Sequence, residues 1–320
     1  MEDITYQIIN VTQSTFSSMP TEGNTTSVRQ ANLVYVVIWS IITIVTFIGN
    51  VIMLATILNS RHLRNGCYIL MASMFISGML YSILYLAPRW ANPYWRNVVF
   101  ICSITQLIGI LFLVNLNLHI CALAMIRFLG VKYPLRFKAV SSPKVAYVSV
   151  AVIWIISILV GFIPLVTFMH YKTDRCVTFA REDNDILYLV IVFVFLFFIP
   201  LIGICVFYAT IWKILKINDI NMQRHRHRVS RSSYDRSQHV RTAKQTIVIV
   251  MVFAGFWLPF VLAFLLFLFD VIKITETAVI QPTQFVAFSY AAVNPFIHYI
   301  QSTGLQLGTK VLFRKFVHRK

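Results

Sequence analysis

The sequence LVYVVIWSIITIVTFIGNVIMLATIL, residues 33–58, contains no charged side chain. It is longer than the roughly 20 apolar residues that a helix needs to cross a bilayer. In lipid the backbone must satisfy its own hydrogen bonds, which favours a helix. This block is therefore predicted to be a membrane-spanning helix.

Six further apolar blocks follow the first one. The seven blocks run approximately over residues 33–58, 67–88, 98–126, 145–169, 186–213, 244–269 and 277–301. The chain is 58% hydrophobic and 12% charged, with a mean hydropathy of +0.74, whereas a soluble domain has about 25% charged residues. A β-barrel would need short alternating segments instead. We predict an all-α integral membrane bundle of seven transmembrane helices.

The basic residues lie mainly on one side of this predicted bundle. The segments before block one and after blocks two, four and six contain seven Lys and Arg and nine Asp and Glu. The alternate segments contain 21 Lys and Arg but only two acidic residues. Because loops rich in Lys and Arg face the cytoplasm, the N-terminus is predicted to be extracellular. The net charge of +17 is then a topology signal, and no nucleic-acid partner is expected.

These bounds divide the chain into three regions. Residues 1–32 are predicted to be an extracellular tail, and residues 33–301 the membrane domain, with a third inner loop at about 214–243. Residues 302–320 are predicted to be a cytoplasmic tail. We expect a multi-pass protein of the plasma membrane.

Two features of the tails add to this topology. Asn10 and Asn24 begin the sequons NVT and NTT, and both are predicted to be glycosylated on the extracellular side. In the C-terminal tail, apolar and basic residues alternate at the spacing of a short amphipathic helix. That helix is expected to lie on the inner leaflet and to contact membrane lipid.

Cysteine positions suggest one disulfide bond. Cys102 begins block three and Cys176 lies in the second outer loop, so both are predicted to face an oxidising compartment. A bridge between them would tie this loop to block three. Two free thiols are the alternative.

Short motifs mark almost every block. In chain order they are Gly49-Asn50, Trp95 seven residues before Cys102, Arg127 with Tyr133-Pro134-Leu135, Trp154 with Pro164, Pro200 with Tyr208, Phe253 to Pro259 (FAGFWLP), and Asn294-Pro295. In this order and at these spacings, over about residues 33 to 316, the chain resembles the rhodopsin-like (class A) G-protein-coupled receptors.

The resemblance implies a set of residues for coupling and switching. They are Arg127, Tyr208, Phe253, Trp257, Pro259, Asn294 and Pro295. It implies that Arg127 lies at the cytoplasmic mouth and takes part in binding a heterotrimeric G protein when block six moves outward. A snorkelling anchor is the alternative role for this arginine. The chain departs from the family at Ile126 and Phe128 beside the arginine, and at His298 in block seven.

The resemblance also implies a ligand pocket in the outer half of the bundle. Its expected lining is Gln106, Gly109, Ile110, Leu113, Val114, Val192, Leu196, Trp257, Phe260, Val261, Phe264, Gln284 and Phe288. The aspartate of amine receptors aligns to Gly109, and the retinal-linking lysine of opsins aligns to Phe288. We therefore expect an extracellular ligand that is neutral or lipophilic, or a peptide, and not a monoamine. Alternatively, many of these residues only pack the bundle.

Other classes of protein fit the sequence less well. A transporter would favour an intramembrane charged residue and a repeated half, and an enzyme would need a nucleophile or a metal set. We find none of these, and we predict no enzyme activity, no cofactor and no metal site. A transporter, or a receptor-like protein that does not couple to G proteins, remains the alternative.

Overall fold

The computed structural model describes residues 25–91, 99–133, 141–167, 183–213 (except 200, 204, 208, 211 and 212), 232–269 and 277–317. Its elements are all helices. In chain order they are α1 Thr25–Asn59, α2 Gly66–Tyr81, α3 Val99–Lys132, α4 Pro143–Thr167, α5 Asp183–Phe193, α6 Ser232–Leu268, α7 Thr277–Gln301 and α8 Thr303–Val317. The seven predicted blocks correspond to α1–α7, and the predicted amphipathic helix is α8.

Two helices continue as wider π-helical segments. Helix α2 runs on through Ser82–Ala91, a segment that contains Pro88, and α5 runs on through Val194–Phe198. Pro88 has no N–H to donate to the preceding turn, and widening is one way a helix accommodates that loss. A short 3₁₀ turn, Arg61–Leu63, joins α1 to α2.

The exposed side chains of the bundle are those of a protein that is surrounded by lipid. Within the described residues, five helices contain segments long and apolar enough to cross a membrane, namely Leu33–Asn59, Gly66–Arg89, Leu107–Gly130, Pro143–Leu165 and Val248–Phe267. Large apolar side chains point outward along them; Val148, Ile155 and Leu159 of α4 are all exposed. In water this surface would be costly, whereas in a bilayer it contacts hydrocarbon.

Helix bounds differ from the predicted blocks on both sides of the bundle, and α1 begins at Thr25, eight residues before the predicted block at 33. Helix α6 begins at Ser232, twelve residues before the predicted block at 244, and α3 ends at Lys132, six residues beyond 126. The α6 extension is mostly polar or basic and carries no hydropathy signal, whereas the α3 extension, RFLGVK, has a basic residue at each end. Both can continue a helix outside the membrane. Helix α7 has the predicted bounds, residues 277–301.

A buried polar contact joins α2, α3 and α4. The Nδ1 atom of His119 lies 2.8 Å from the Asn115 carbonyl oxygen, so Nδ1 must carry the hydrogen and Nε2 must accept. The Ser73 hydroxyl, 3.0 Å away, donates to Nε2 and accepts from Trp154 Nε1 at 3.0 Å. One hydroxyl group therefore satisfies two ring nitrogens on two other helices.

Ser73→Ala is expected to destabilise the bundle by about 1–3 kcal/mol, because it leaves His119 Nε2 and Trp154 Nε1 without a hydrogen-bond partner. Ser157→Ala is the matched control, since Ser157 is also buried but bonds only the carbonyl of Ile153 in its own helix. The measurement is the thermal unfolding of both variants in detergent. Equal melting temperatures would show that the contact at Ser73 contributes no more than a local bond.

Candidate functional site

An aromatic cluster fills the predicted extracellular half of the bundle, with Phe288 of α7 at its centre. The Phe288 ring lies 6.3 Å from Trp39 of α1, 5.5 Å from Tyr85 of α2, and 5.6 Å from both Trp257 and Phe260 of α6, measured between ring centroids. Edge-to-face and tilted contacts of this kind contribute about 0.5–1.5 kcal/mol per pair beyond burial. Phe288 thus joins α1, α2 and α6 to α7.

The space beside Gly109 is already occupied. A Cβ atom at Gly109 would overlap the ring of Tyr85, and Tyr85 also stacks on Tyr81 at 5.1 Å with an interplanar angle of 16°. Tyr85 was not among the predicted site residues. Two features of the sequence could have pointed to Tyr85: its spacing of one helical turn from Tyr81, and Pro88 just beyond it. Neither feature alone indicates a pocket.

The other predicted pocket residues pack around this cluster. Val114, Val192, Phe260, Val261 and Phe288 are buried, and Ile110, Leu113, Phe264 and Gln284 are half-buried. Phe264 contacts Phe260 at 5.7 Å and Phe193 of α5 at 5.8 Å. The side chains of Gln106 and Leu196 lie outside the described part of the chain. The described lining residues carry no charged side chain.

A small cavity lies directly below the cluster, towards the middle of the bundle. Its volume is about 30 Å³, enough for one or two water molecules. Its lining is Asn50, Met74, Ser77, Gly78, Tyr81, Phe112, Leu113, Leu116, Trp257, Ala291 and Asn294. Asn50 Oδ1, the Tyr81 hydroxyl and Trp257 Nε1, all on residues that line the cavity, are buried with no hydrogen-bond partner among the described residues.

Two of the predicted switch residues, Trp257 and Asn294, line this cavity. Phe253 of α6 lies 6.3 Å from Trp257 one turn away, 5.6 Å from Phe197 of α5 and 5.3 Å from Tyr290 of α7. Tyr290 donates to Asn294 Oδ1 at 3.2 Å. The aromatic contacts of α6 therefore reach both neighbouring helices at the same depth.

Proline residues lie within the two helices that carry these contacts. Pro259 is inside α6 and Pro295 inside α7, and a proline removes one helical hydrogen bond and permits a kink. Helix α1 packs closely on α7 at this level, because a Cβ atom at Gly49 would lie 2.9 Å from Pro295 Cγ. Tyr208, the predicted switch residue of block five, lies outside the described residues.

Arg127 lies at the opposite end of the bundle, near the end of α3. It is half-buried, and its charge acts on His298 of α7 and Cys67 of α2. The preceding Ile126 is buried, while Phe128 stacks on Phe207 at 4.7 Å. The predicted coupling residue therefore lies near residues of α2 and α7.

His298 occupies a buried position in this inner region. Its ring lies edge-on to Phe75 of α2 at 5.8 Å, and its Nε2 atom has no hydrogen-bond partner among the residues that the structure describes. Sequence reasoning noted His298 only as a departure from the family pattern.

Several predicted features fall outside the described residues. Asn10, Asn24 and Cys176 are among them, and the side chain of Cys102 is not described. The glycosylation sites and the disulfide bond therefore stay predictions. Cys67, Cys121 and Cys205 are free thiols.

Comparison with known proteins identifies the family. A family model described as "7 transmembrane receptor (rhodopsin family)" matches residues 49–298. The chain is 23% identical over 309 residues to galanin receptor 2b of Danio rerio, covering 91% of this chain and 77% of that receptor. It is 22% identical over 245 residues to adenosine receptor A3 of Canis lupus familiaris, covering 74% of this chain and 77% of that receptor.

A third relative matches over a shorter region. The alpha-2Da adrenergic receptor of Danio rerio is 24% identical over 189 residues, covering 58% of this chain and 45% of that receptor. The chain therefore spans less than half the length of this relative. The matched proteins are receptors, and the family assignment supports signalling through G proteins. The seven-helix bundle and the resemblance found in the motifs are thereby confirmed: the chain belongs to the rhodopsin family of seven-transmembrane receptors.

Proposed function

We propose that the chain is a plasma-membrane receptor that passes an extracellular ligand signal to a heterotrimeric G protein by rearrangement of its helices. The observation that supports this best is the continuous series of ring contacts from Phe288 through Trp257 to Phe253. A ligand that displaces Phe288 would alter the packing of α6 near Pro259. A group of packed aromatic side chains that can adopt two discrete arrangements can couple two distant sites, because both sites bias the same equilibrium.

The response at the inner end would be carried by Arg127 on α3. Movement of α6 away from α3 would expose more of the guanidinium, which has five donors in a rigid fork for backbone or carboxylate acceptors of a partner. A lysine would not offer this geometry. The partner we propose is the G protein.

The ligand is proposed to be neutral or lipophilic, or the apolar end of a peptide. The described pocket side chains are aromatic, aliphatic or amide groups, and the place of an amine counter-ion is occupied by Tyr85 against Gly109. A buried cationic amine without a counter-ion would pay a desolvation cost of several kcal/mol. The relatives are named adrenergic, galanin and adenosine receptors, so similarity alone points to no single ligand class.

Cells carrying dissociation reporters for several G proteins test the proposal. The chain, tagged at its N-terminus, is exposed to separate sets of lipophilic small molecules, peptides and monoamines. We expect a response to a member of the first two sets, and loss of at least 90% of it in Arg127→Ala. Lys132→Ala is the matched control, since exposed Lys132 lies on the same helix end but over the rings of Phe128 and Tyr133.

The N-terminal tag also provides the expression control and the test of orientation. Antibody should label intact cells equally for the wild type and both variants. If Arg127→Ala gave a full response at the same cell-surface level as the wild type, Arg127 would be only a membrane anchor and not a coupling residue. Uptake of a ligand into the cell without any reporter response would favour a transporter, and binding without either would favour a non-coupling receptor-like protein.

A further inference from the structure

The predicted extracellular end of α2 carries an arginine, Arg89. It lies in the π-helical segment Ser82–Ala91 and is the last residue of the membrane span Gly66–Arg89. A guanidinium is costly to bury at the edge of a bilayer, so an arginine there either serves a function inside the bundle or anchors the helix at the headgroups. The direction in which Arg89 points decides between these two roles.

Burial along the segment indicates that Arg89 lies on its inward face. Ile83 and Leu84 are exposed, whereas Tyr85 is buried and Arg89 is half-buried. A π-helical turn, with its i→i+5 hydrogen bonds, is wider than the 3.6-residue turn of an α-helix. Residues four apart therefore lie nearly in line, and Arg89 follows Tyr85 on the same face. A purely anchoring arginine would share the exposed face with Ile83 and Leu84.

The aromatic cluster lies one turn below Arg89. The Tyr85 ring is 5.5 Å from that of Phe288 and lies against Gly109. The described lining residues of the predicted pocket include no Asp, Glu, Lys or Arg, and Arg89 is the one charged residue in the sequence of residues 66–91. A ligand that enters along this face of α2 therefore meets one cation first and aromatic rings beyond it.

A carboxylate is the anion that matches this arrangement best. The guanidinium has five N–H donors in a planar fork, so it can bind two carboxylate oxygens and keep its contacts within the chain. One cation balances one carboxylate, whereas a phosphate ester carries a charge close to −2, and residues 66–91 supply no second cation. An apolar chain attached to this carboxylate would extend over Tyr85 and Phe288.

We propose that the ligand is an amphipathic carboxylic acid, with its carboxylate on Arg89 and its apolar body against Tyr85 and Phe288. Two sources share this chemistry, namely a long-chain fatty acid and a peptide whose C-terminal residue is apolar. The assignment rests on the proposed function, because it names the ligand class of the same pocket. It narrows the lipophilic ligand to an acid and makes Arg89 a residue that determines specificity.

Purified full-length chain in lipid nanodiscs tests the recognition of a carboxylate. One arm uses straight-chain fatty acids of ten to eighteen carbons and their methyl esters, and the other uses tetrapeptides with an apolar C-terminal residue, as free acids and as amides. The rise of the melting temperature with probe concentration gives each dissociation constant. We expect an acid of one arm to bind at least about tenfold more tightly than its ester or amide, the effect of a charge-assisted hydrogen bond.

Two arginines allow the same charge to be removed at different places. Arg89→Gln should weaken binding of the acid by at least about tenfold, but should change binding of the neutral ester or amide by less than about twofold, since these probes form no ion pair. Arg89→Lys should fall between wild type and Arg89→Gln, because an ammonium group lacks the two-point fork.

Arg29→Gln is the matched control. Arg29 belongs to α1 but precedes its membrane span, Leu33–Asn59, and charges separated in solvent by more than about 10 Å are largely screened. This variant should therefore change the affinity for the acid by less than about twofold. The melting temperature of each variant without probe reports on its folding.

Three results would overturn the proposal. Equal affinities of the acids and their esters or amides would mean that the carboxylate is not recognised. Equal losses in Arg29→Gln and Arg89→Gln would mean diffuse attraction to the extracellular surface. Absence of binding by every acid of both arms would exclude the ligand class, even if a neutral compound activated the G-protein reporters. Failure of the proposed function has a different signature, in which an acid binds through Arg89 and no reporter responds.

Discussion

Gly161→Val is expected to destabilise the bundle by about 3 kcal/mol, at the upper end of the usual cost of overpacking. Gly161 of α4 faces Leu111 of α3, and a Cβ atom there would lie 2.7 Å from Leu111 Cβ and 3.1 Å from its Cα. Carbon atoms prefer about 3.5–4.0 Å. Since one of these atoms is backbone, the helices themselves would have to separate.

Gly255→Val is the control for this substitution. Gly255 of α6 is exposed, and a Cβ atom there would meet nothing within 4 Å. Valine and glycine differ by only about 0.4 kcal/mol in helix propensity, so this variant should melt near the wild-type temperature. Thermal unfolding of both variants in the same detergent measures the difference. If Gly161→Val had the same melting temperature as Gly255→Val, α3 and α4 would not approach each other as closely as described.

The sequence predicted the spans of this bundle well because hydropathy reports directly on the lipid environment. Helix α7, residues 277–301, has the predicted bounds, although Pro282 and Pro295 lie inside it. Helix α6 was predicted too short, since its polar first turns from Ser232 have no apolar period to detect. The position of a membrane span can thus be predicted from hydropathy, but the length by which its helix extends beyond the membrane cannot.

Side-chain partners were harder to predict, for two different physical reasons. Tyr85 lies in the π-helical continuation of α2, and a helical wheel with 3.6 residues per turn assigns such a residue to the wrong direction. His119 bonds Ser73 on another helix, 46 positions away, and no local pattern relates the two. Both contacts depend on how the helices pack together, which the blocks alone leave undetermined.

Gly109→Asp is expected to produce the largest loss of folded protein among the pocket variants. The new side chain would overlap the Tyr85 ring, and its carboxylate would be placed in a cluster built from Phe288, Trp257 and Phe260. An unpaired buried charge costs several kcal/mol after relaxation, in addition to about 1–3 kcal/mol for overpacking. The measurement is the fraction of N-terminally tagged protein at the cell surface, followed by thermal unfolding of what can be purified.

Gly109→Asn separates the two contributions, because asparagine has the shape of aspartate without its charge. We expect Gly109→Asn to be destabilised only by the overpacking against Tyr85. Gly109→Asp should be destabilised both by this overpacking and by its buried charge. In a Tyr85→Ala background the packing part should shrink, so that the double variant is less destabilised than the sum of the single ones, as expected for residues in contact. Strict additivity would mean that Tyr85 does not fill the space beside Gly109. The exclusion of amines proposed above would then rest on the missing charge alone, whereas the expected coupling would show that Tyr85 also fills the place of the counter-ion.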